Sequence, residues 1–178
     1  MKLLTLATIF CAAAAFAADG VWDGQAASVS AGHKDTTIEV KDNAVVMTGK
    51  SGTGTYSYLI GNVKTAPFSL KGKSFSFTIE PTDSIKGDTV YIKGVAAGLT
   101  KDKDGKNARK TVFSFVAYMP KAGTYVVTPG KDCPPFKWLA QQANWTTDDP
   151  IVKLELFQGR KVNDSPMGIT FKDFKVVD

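Results

Sequence analysis

Ser74-Phe75-Ser76-Phe77-Thr78-Ile79-Glu80 alternates polar and apolar residues without a break. Phe75, Phe77 and Ile79 fall on one side of an extended chain, and Ser74, Ser76, Thr78 and Glu80 on the other. Successive side chains of a strand point to opposite faces of its sheet, so period two predicts a strand with one buried face. Thr36-Thr37-Ile38-Glu39-Val40-Lys41 alternates in the same way. The pattern extends to further strands at 44–48, 55–60, 89–95, 111–118, 123–127, 151–157 and 169–177, all rich in Val, Ile, Thr, Phe and Tyr. Turn signals stand between them: Lys71-Gly72-Lys73, Lys86-Gly87-Asp88, Asp104-Gly105-Lys106 and Pro129-Gly130-Lys131. Short strands punctuated like this predict an all-β, antiparallel sandwich or barrel. The one helix candidate is 135–143, opened by Pro134 and Pro135, with Trp138, Leu139 and Gln142 on one face. No internal repeat or second composition class divides the chain.

The N-terminus reads differently. Lys2 precedes an apolar run from Leu3 to Phe16, and Ala15-Phe16-Ala17 fits the small-x-small cleavage pattern. Residues 1–17 are therefore expected to be a removed signal peptide. That leaves one domain at 18–178, secreted or held in the periplasm or at the cell surface. The run is shorter than the roughly 20 residues a bilayer span needs, and no second hydrophobic span follows, so no membrane span is expected. Thr8-Ile9-Phe10 lacks the small residues of a lipoprotein site before Cys11; a lipid anchor there is the alternative. Beyond the leader only Cys133 remains, so no internal disulfide is expected. It is read as a buried inert thiol, with an intermolecular bridge or a reactive thiol as alternatives. The net charge is +5, one less without Lys2, and the signs are interspersed, as in Lys101-Asp102-Lys103-Asp104. This is a solvated surface, and no nucleic-acid partner is expected.

The closing third carries a family likeness. Ile151-Val152-Lys153-Leu154-Glu155-Leu156-Phe157, a loop through 159–167, and Gly168-Ile169-Thr170-Phe171-Lys172-Asp173-Phe174-Lys175-Val176-Val177 resemble the final strand pair of jelly-roll carbohydrate-binding modules, a group similar to the galactose-binding-like fold. Trp22-Asp23-Gly24 resembles the start of such modules, and 67–77 looks like an early hairpin of their sheets. The resemblance implies a jelly-roll β-sandwich that binds a polysaccharide or cell-surface glycan without catalysis. It also implies a structural calcium joining the first and last strands through Asp23, Asp173 and backbone carbonyls. Lys172 stands where the family often has a second acid.

Two places suit a sugar, whose flat C–H faces meet aromatic rings and whose hydroxyls meet amides, carboxylates and lysines. The first is the irregular stretch 130–150, where Trp138 and Trp145 lie among Gln141, Gln142 and Asn144; loops on a rigid sandwich often carry binding. The alternative there is that the two tryptophans cap the open end of the sandwich. The second is a sheet face. If Phe113, Phe115, Ala117, Val90, Ile92, Leu154 and Leu156 point inward, then Tyr91, Lys93, Tyr118, Lys153, Glu155 and Phe157 point outward. An ordinary solvated face is the alternative.

Other chemistry has less to build on. His33 is the only histidine. It sits in a loop-like stretch without a Gly-x-Ser-x-Gly elbow, and is expected at the surface. One histidine and one cysteine do not make a usual zinc set. Asp102-Lys103-Asp104-Gly105 reads as a hairpin turn rather than a calcium loop. Gly49-Lys50-Ser51-Gly52-Thr53-Gly54 reads as a hairpin loop, with no helix behind it to bind phosphate. Two alternatives to the binding domain remain: an envelope assembly protein that pairs through its β-edges, and a glycan-active enzyme, which needs two facing carboxylates.

Overall fold

The alternating segments become strands: β1 (Val29–Ala31), β2 (Thr37–Lys41), β3 (Ala44–Lys50), β4 (Ser57–Phe68), β5 (Ser74–Pro81), β6 (Asp88–Lys101), β7 (Asn107–Tyr118), β8 (Gly123–Val127), β9 (Lys137–Trp138), β10 (Ile151–Arg160) and β11 (Pro166–Val177). The computed structural model describes residues 21–50, 57–81, 88–101, 104–139, 149–160 and 166–178. The leader, Cys11, Gln141, Asn144 and Trp145 lie outside the described residues.

All pairings are antiparallel. One sheet has six strands in the order β1-β4-β10-β6-β7-β9, and the other has five in the order β2-β3-β11-β5-β8. Counting only β3 to β8, β10 and β11 in chain order, the larger sheet runs second-seventh-fourth-fifth. The smaller runs first-eighth-third-sixth. That double crossing between two sheets is the jelly roll, so the expected all-β, jelly-roll β-sandwich is the observed one.

The sheets meet on their apolar faces. Val45, Met47, Phe75, Phe77, Ile79, Ile169 and Phe171 from the smaller sheet pack on Leu59, Val63, Val90, Ile92, Phe113, Phe115, Leu154 and Leu156 from the larger, each no more than 1% exposed. Gly94 lies directly opposite Phe113. A Cβ there would collide with the Phe113 ring, so only glycine admits that ring at this point.

Four sequence expectations need correction. Residues 67–77 do not form a hairpin: β4 ends at Phe68 in one sheet and β5 begins at Ser74 in the other. The Lys71-Gly72 turn, with Gly72 at φ 66°, therefore arches across the sandwich. Local alternation cannot tell an arch from a hairpin, because both strands bury one face either way. Second, no helix opens at Pro135; Cys133 and Phe136 form a bridge, and Lys137–Trp138 pair as β9 with Val116 and Phe115. Third, Asp88 is not in a turn but starts β6, fully buried. Fourth, Ser76 and Thr78, on the polar face of β5, are buried as well, at 8% exposure each. They lie in the middle of the sheet, with Lys175 and Val126 beside Ser76 and Lys172 and Thr124 beside Thr78. The Asp42-Asn43 turn between β2 and β3, with φ of 51° and 57°, went unmarked although Asp and Asn are the residues such a turn favours.

Tyr125 on β8 donates to Lys121 O at 2.7 Å. Burial raises its pKa above the ordinary 10.0, with the bond to Lys121 pulling the other way. A raised value means that any stability from the neutral phenol is complete below pH 10 and is lost as pH rises through the folded value. An ultraviolet titration is expected to lose a step lying above pH 10 in the Tyr125→Phe variant. A Tyr125→Phe variant whose titration curve loses nothing above pH 10 would contradict it.

Candidate functional site

Strand parity decides what the outer face of the six-stranded sheet presents. With Leu59, Val90, Ala117 and Leu156 buried, their neighbours Tyr58, Thr89, Tyr118 and Phe157 turn outward. The register then sets the neighbours across strands. Tyr58 lies opposite Gly159, Gly159 opposite Thr89, and Thr89 opposite Tyr118. Two tyrosines thus stand at the ends of one cross-strand row whose middle is a glycine and a threonine. Three strand spacings separate them, about 14 Å at the usual 4.8 Å each. Tyr118 is 66% exposed and Tyr58 is 37% exposed. The small residues between them make a trough with an aromatic post at each end.

The next row is a wall. Ile60, Phe157, Tyr91 and Val116 follow one another across β4, β10, β6 and β7. Phe157 and Tyr91 stack face to face, with centroids 4.1 Å apart and planes within 6°. Tyr58 stacks on Phe157 at 5.9 Å, and His33 packs against Tyr58 at 4.5 Å. The rings therefore form a continuous ladder, and Phe157 and Tyr91 use ring faces on each other rather than offering them to a ligand. The Lys93 ammonium leans over Tyr91, 4.7 Å from the ring centroid, and also donates to Glu155 Oε1 at 3.2 Å. A charged pair is thereby held beside the aromatic wall. Cross-strand from it lie Asn62 and Ser114; Lys153 Nζ donates to Asn62 Oδ1 at 3.0 Å.

The expected outward set of Tyr91, Lys93, Tyr118 and Glu155 thus shares one face. Tyr58, Asn62, Thr89 and Gly159 were missed. Parity places Tyr58 and Thr89 outward, but it does not reveal that their strands are joined through β10.

The loop site is only partly described. Trp138 lies on the edge strand β9, half-buried, with its backbone N–H donating to Asp132 Oδ1 at 2.9 Å. Its ring meets Phe115 edge-on at 5.0 Å and packs against the core. Within the stretch 130–139 only Lys137–Trp138 is strand, paired with β7. The structure therefore does not bring Trp138 to the outward row of Tyr91 and Tyr118. Cys133 is half-buried; its Sγ accepts from Thr128 N at 3.3 Å.

The residues expected to hold calcium lie near the two chain ends of the sandwich. Asp23 Oδ1 accepts from Gln25 N at 3.0 Å and Ser28 Oγ at 3.2 Å, and so shapes the turn before β1. Asp173 is exposed at φ 57°, where the register with β5 shifts. The chain ends do meet nearby, with Val21 N donating to Phe174 O at 3.3 Å. Among the described residues no group of three or more His, Cys, Asp or Glu could hold a metal ion.

The strand order defines the fold class, a jelly-roll β-sandwich. Comparison with solved structures gives particular likenesses. An agarase matches with a TM-score of 0.53 and 11% identity over 85% of this chain. The chain spans 22% of that agarase's length. A family 29 carbohydrate-binding module matches with a TM-score of 0.43 and 11% identity, covering 88% of this chain and 87% of that one. A family 28 module, specific for non-crystalline cellulose, matches with a TM-score of 0.45 and 10% identity, covering 89% and 97%. At these identities the likeness is one of fold. No family model matches the chain. No curated protein matches it either.

Proposed function

We propose that this chain is an exported, non-catalytic glycan-binding domain and that its ligand lies in the trough between Tyr58 and Tyr118. The observation that carries this reading is the row Tyr58–Gly159–Thr89–Tyr118, two exposed aromatics flanking a low floor on a rigid sheet. Carbohydrate-binding modules among the neighbours in fold support a carbohydrate-binding role. The leader pattern at 1–17 supports export. The Tyr118 ring is broad and exposed enough to cover the C–H face of a sugar. The Thr89 hydroxyl and the Lys93–Glu155 pair supply donors and acceptors for sugar hydroxyls. Because the wall is locked by stacking, little ordering entropy is lost on binding.

The acids of the six-stranded sheet are already engaged. Among the six strands, Asp88 and Glu155 are the only acidic residues; Asp88 is buried against Arg160, and Glu155 accepts from Lys93. A glycosidase requires two carboxylates flanking the scissile bond.

Affinity electrophoresis of the purified protein against a panel of polysaccharides tests the reading. At least one is expected to retard the protein, and Tyr118→Ala should weaken that retardation about tenfold, or about 1.4 kcal/mol, with an unchanged melting temperature. Trp145→Ala, in the same gels, tests the loop beyond the described residues. Absence of retardation by every glycan would refute the proposal.

A further inference from the structure

The trough lies at the fraying end of its sheet. β4 begins at Ser57, beside Tyr58; β10 ends at Arg160, beside Gly159; β6 begins at Asp88, beside Thr89; and β7 ends at Tyr118 itself. Ladder pairs at strand ends open most readily. Two exposed tyrosines placed there keep one spacing only if the last pairs are held shut. A buried polar group directly beneath the row does this. Arg160 and Asp88 are direct cross-strand partners, next in the ladder to Gly159 and Thr89. By parity both side chains turn inward, under the trough floor, and both are buried. The guanidinium grips the carboxylate through Nε on Oδ1 and Nη2 on Oδ2, and Gln158, on the other side of Gly159, adds Nε2 on Oδ2. Arg160 Nη1 also reaches Pro166 O, on β11 of the opposite sheet. The Asp88 carbonyl accepts from Met119 N at 2.7 Å, which closes β7 immediately beyond Tyr118.

Such a group is a poor source of stability. Two charges are withdrawn from water in it, and apolar residues of similar volume often serve as well or better. Gln158 Oε1 is buried with no hydrogen-bond partner among the described residues, which is a further cost. What the fork supplies, and apolar packing does not, is direction. Two parallel N–H···O bonds admit one relative placement of β10 and β6, whereas hydrophobic contact is non-directional. We infer that Asp88, Arg160 and Gln158 are positioning residues for the glycan site. They hold Gly159 against Thr89 and, through Met119, hold Tyr118, so that the row meets its ligand already formed. The inference rests on the glycan-binding reading of the trough and extends it to buried residues beneath the site. A preformed row lowers the ordering cost of binding without adding a contact.

The combined variant Asp88→Leu, Gln158→Leu, Arg160→Met separates position from stability. Its denaturation midpoint is expected to lie near that of the wild type, yet its retardation by a polysaccharide that retards the wild type should weaken about tenfold. Amide hydrogen exchange adds a readout that needs no ligand: the Met119 amide should exchange about tenfold faster than in the wild type. Phe75→Leu is the control, since Phe75 packs on Phe68 at the opposite end of β4 from Tyr58. It should lower the midpoint and bind as the wild type does. Arg160→Lys keeps a cation beside Asp88 without the two-point fork. It should move Met119 exchange and retardation in the same directions, and it carries the test if the combined variant does not fold. A folded variant of either kind that binds as the wild type, or whose Met119 exchange is unchanged, overturns the inference. So does a Phe75→Leu variant that loses retardation as well, because binding then follows stability. If Tyr118→Ala weakens retardation and the combined variant does not, the inference falls and the trough reading stands; if no glycan retards the wild type, both fall.

Discussion

Asp88→Ala is expected to remove about 3–5 kcal/mol of folding stability, a large share of the 5–15 kcal/mol typical of a domain. Asp88 is fully buried. Its carboxylate takes the Arg160 guanidinium in a two-point fork, through Nε to Oδ1 and through Nη2 to Oδ2 at 2.9 Å. Gln158 Nε2 donates to Oδ2 at 2.6 Å. Arg160 Nη1 reaches on to Pro166 O at 2.7 Å, which ties the start of β11 to the end of β10. Removing the carboxylate leaves a buried guanidinium and a buried amide without their acceptor, and that desolvation dominates the loss. Replacing the group together, as Asp88→Leu, Gln158→Leu and Arg160→Met, should restore much of the stability, because no charge is then buried alone. Chemical denaturation of the three proteins measures this. A single variant within about 0.5 kcal/mol of wild type would show that water reaches the site and that the fork contributes little.

Phe75→Ala should cost a similar amount, about 3–5 kcal/mol, through loss of buried area and the cavity left behind. Phe75 sits where the sheets meet. Its ring lies 5.8 Å from Phe68, 5.9 Å from Phe77, 5.4 Å from Phe113 and 6.2 Å from Phe174. Phe68 and Phe113 belong to the six-stranded sheet, and Phe77 and Phe174 to the five-stranded one. Loss of this ring therefore removes contacts from both sheets at once, and close-packed neighbours relax only partly into such a gap. Phe75→Leu should cost a fraction of this, and Val126→Ala, on an exposed edge position, within about 0.5 kcal/mol. A lower midpoint with an unchanged denaturant slope is the expected form of the result. If Phe75→Ala matched Val126→Ala, the ring would not be the inter-sheet contact described.

The strands and the two sides of each strand were legible in the chain itself. Phe75, Phe77 and Ile79 are buried as their spacing requires, and Tyr91, Lys93, Tyr118 and Glu155 do share one outward face. Asp88 was misread because a glycine-aspartate pair before a strand looks the same whether the acid faces water or a buried arginine 72 residues away. The pairing of Lys137–Trp138 with β7 is not legible in the sequence, because a two-residue strand is too short to show a period.

Alternation is a property of the local backbone: each residue's side follows from that of its neighbour, so sequence alone determined the β class, the inward residues and the outward candidates. Strand order is a long-range property. Whether 68–74 turns back or arches over, and whether β10 enters between β4 and β6, depends on pairings between residues far apart in the chain. Those crossings set Gly159 and Thr89 between Tyr58 and Tyr118, lay Phe157 against Tyr91, and put Arg160 opposite Asp88. Only the tertiary structure decided them, because only the packing of two sheets selects one pairing from the many that the same alternation permits.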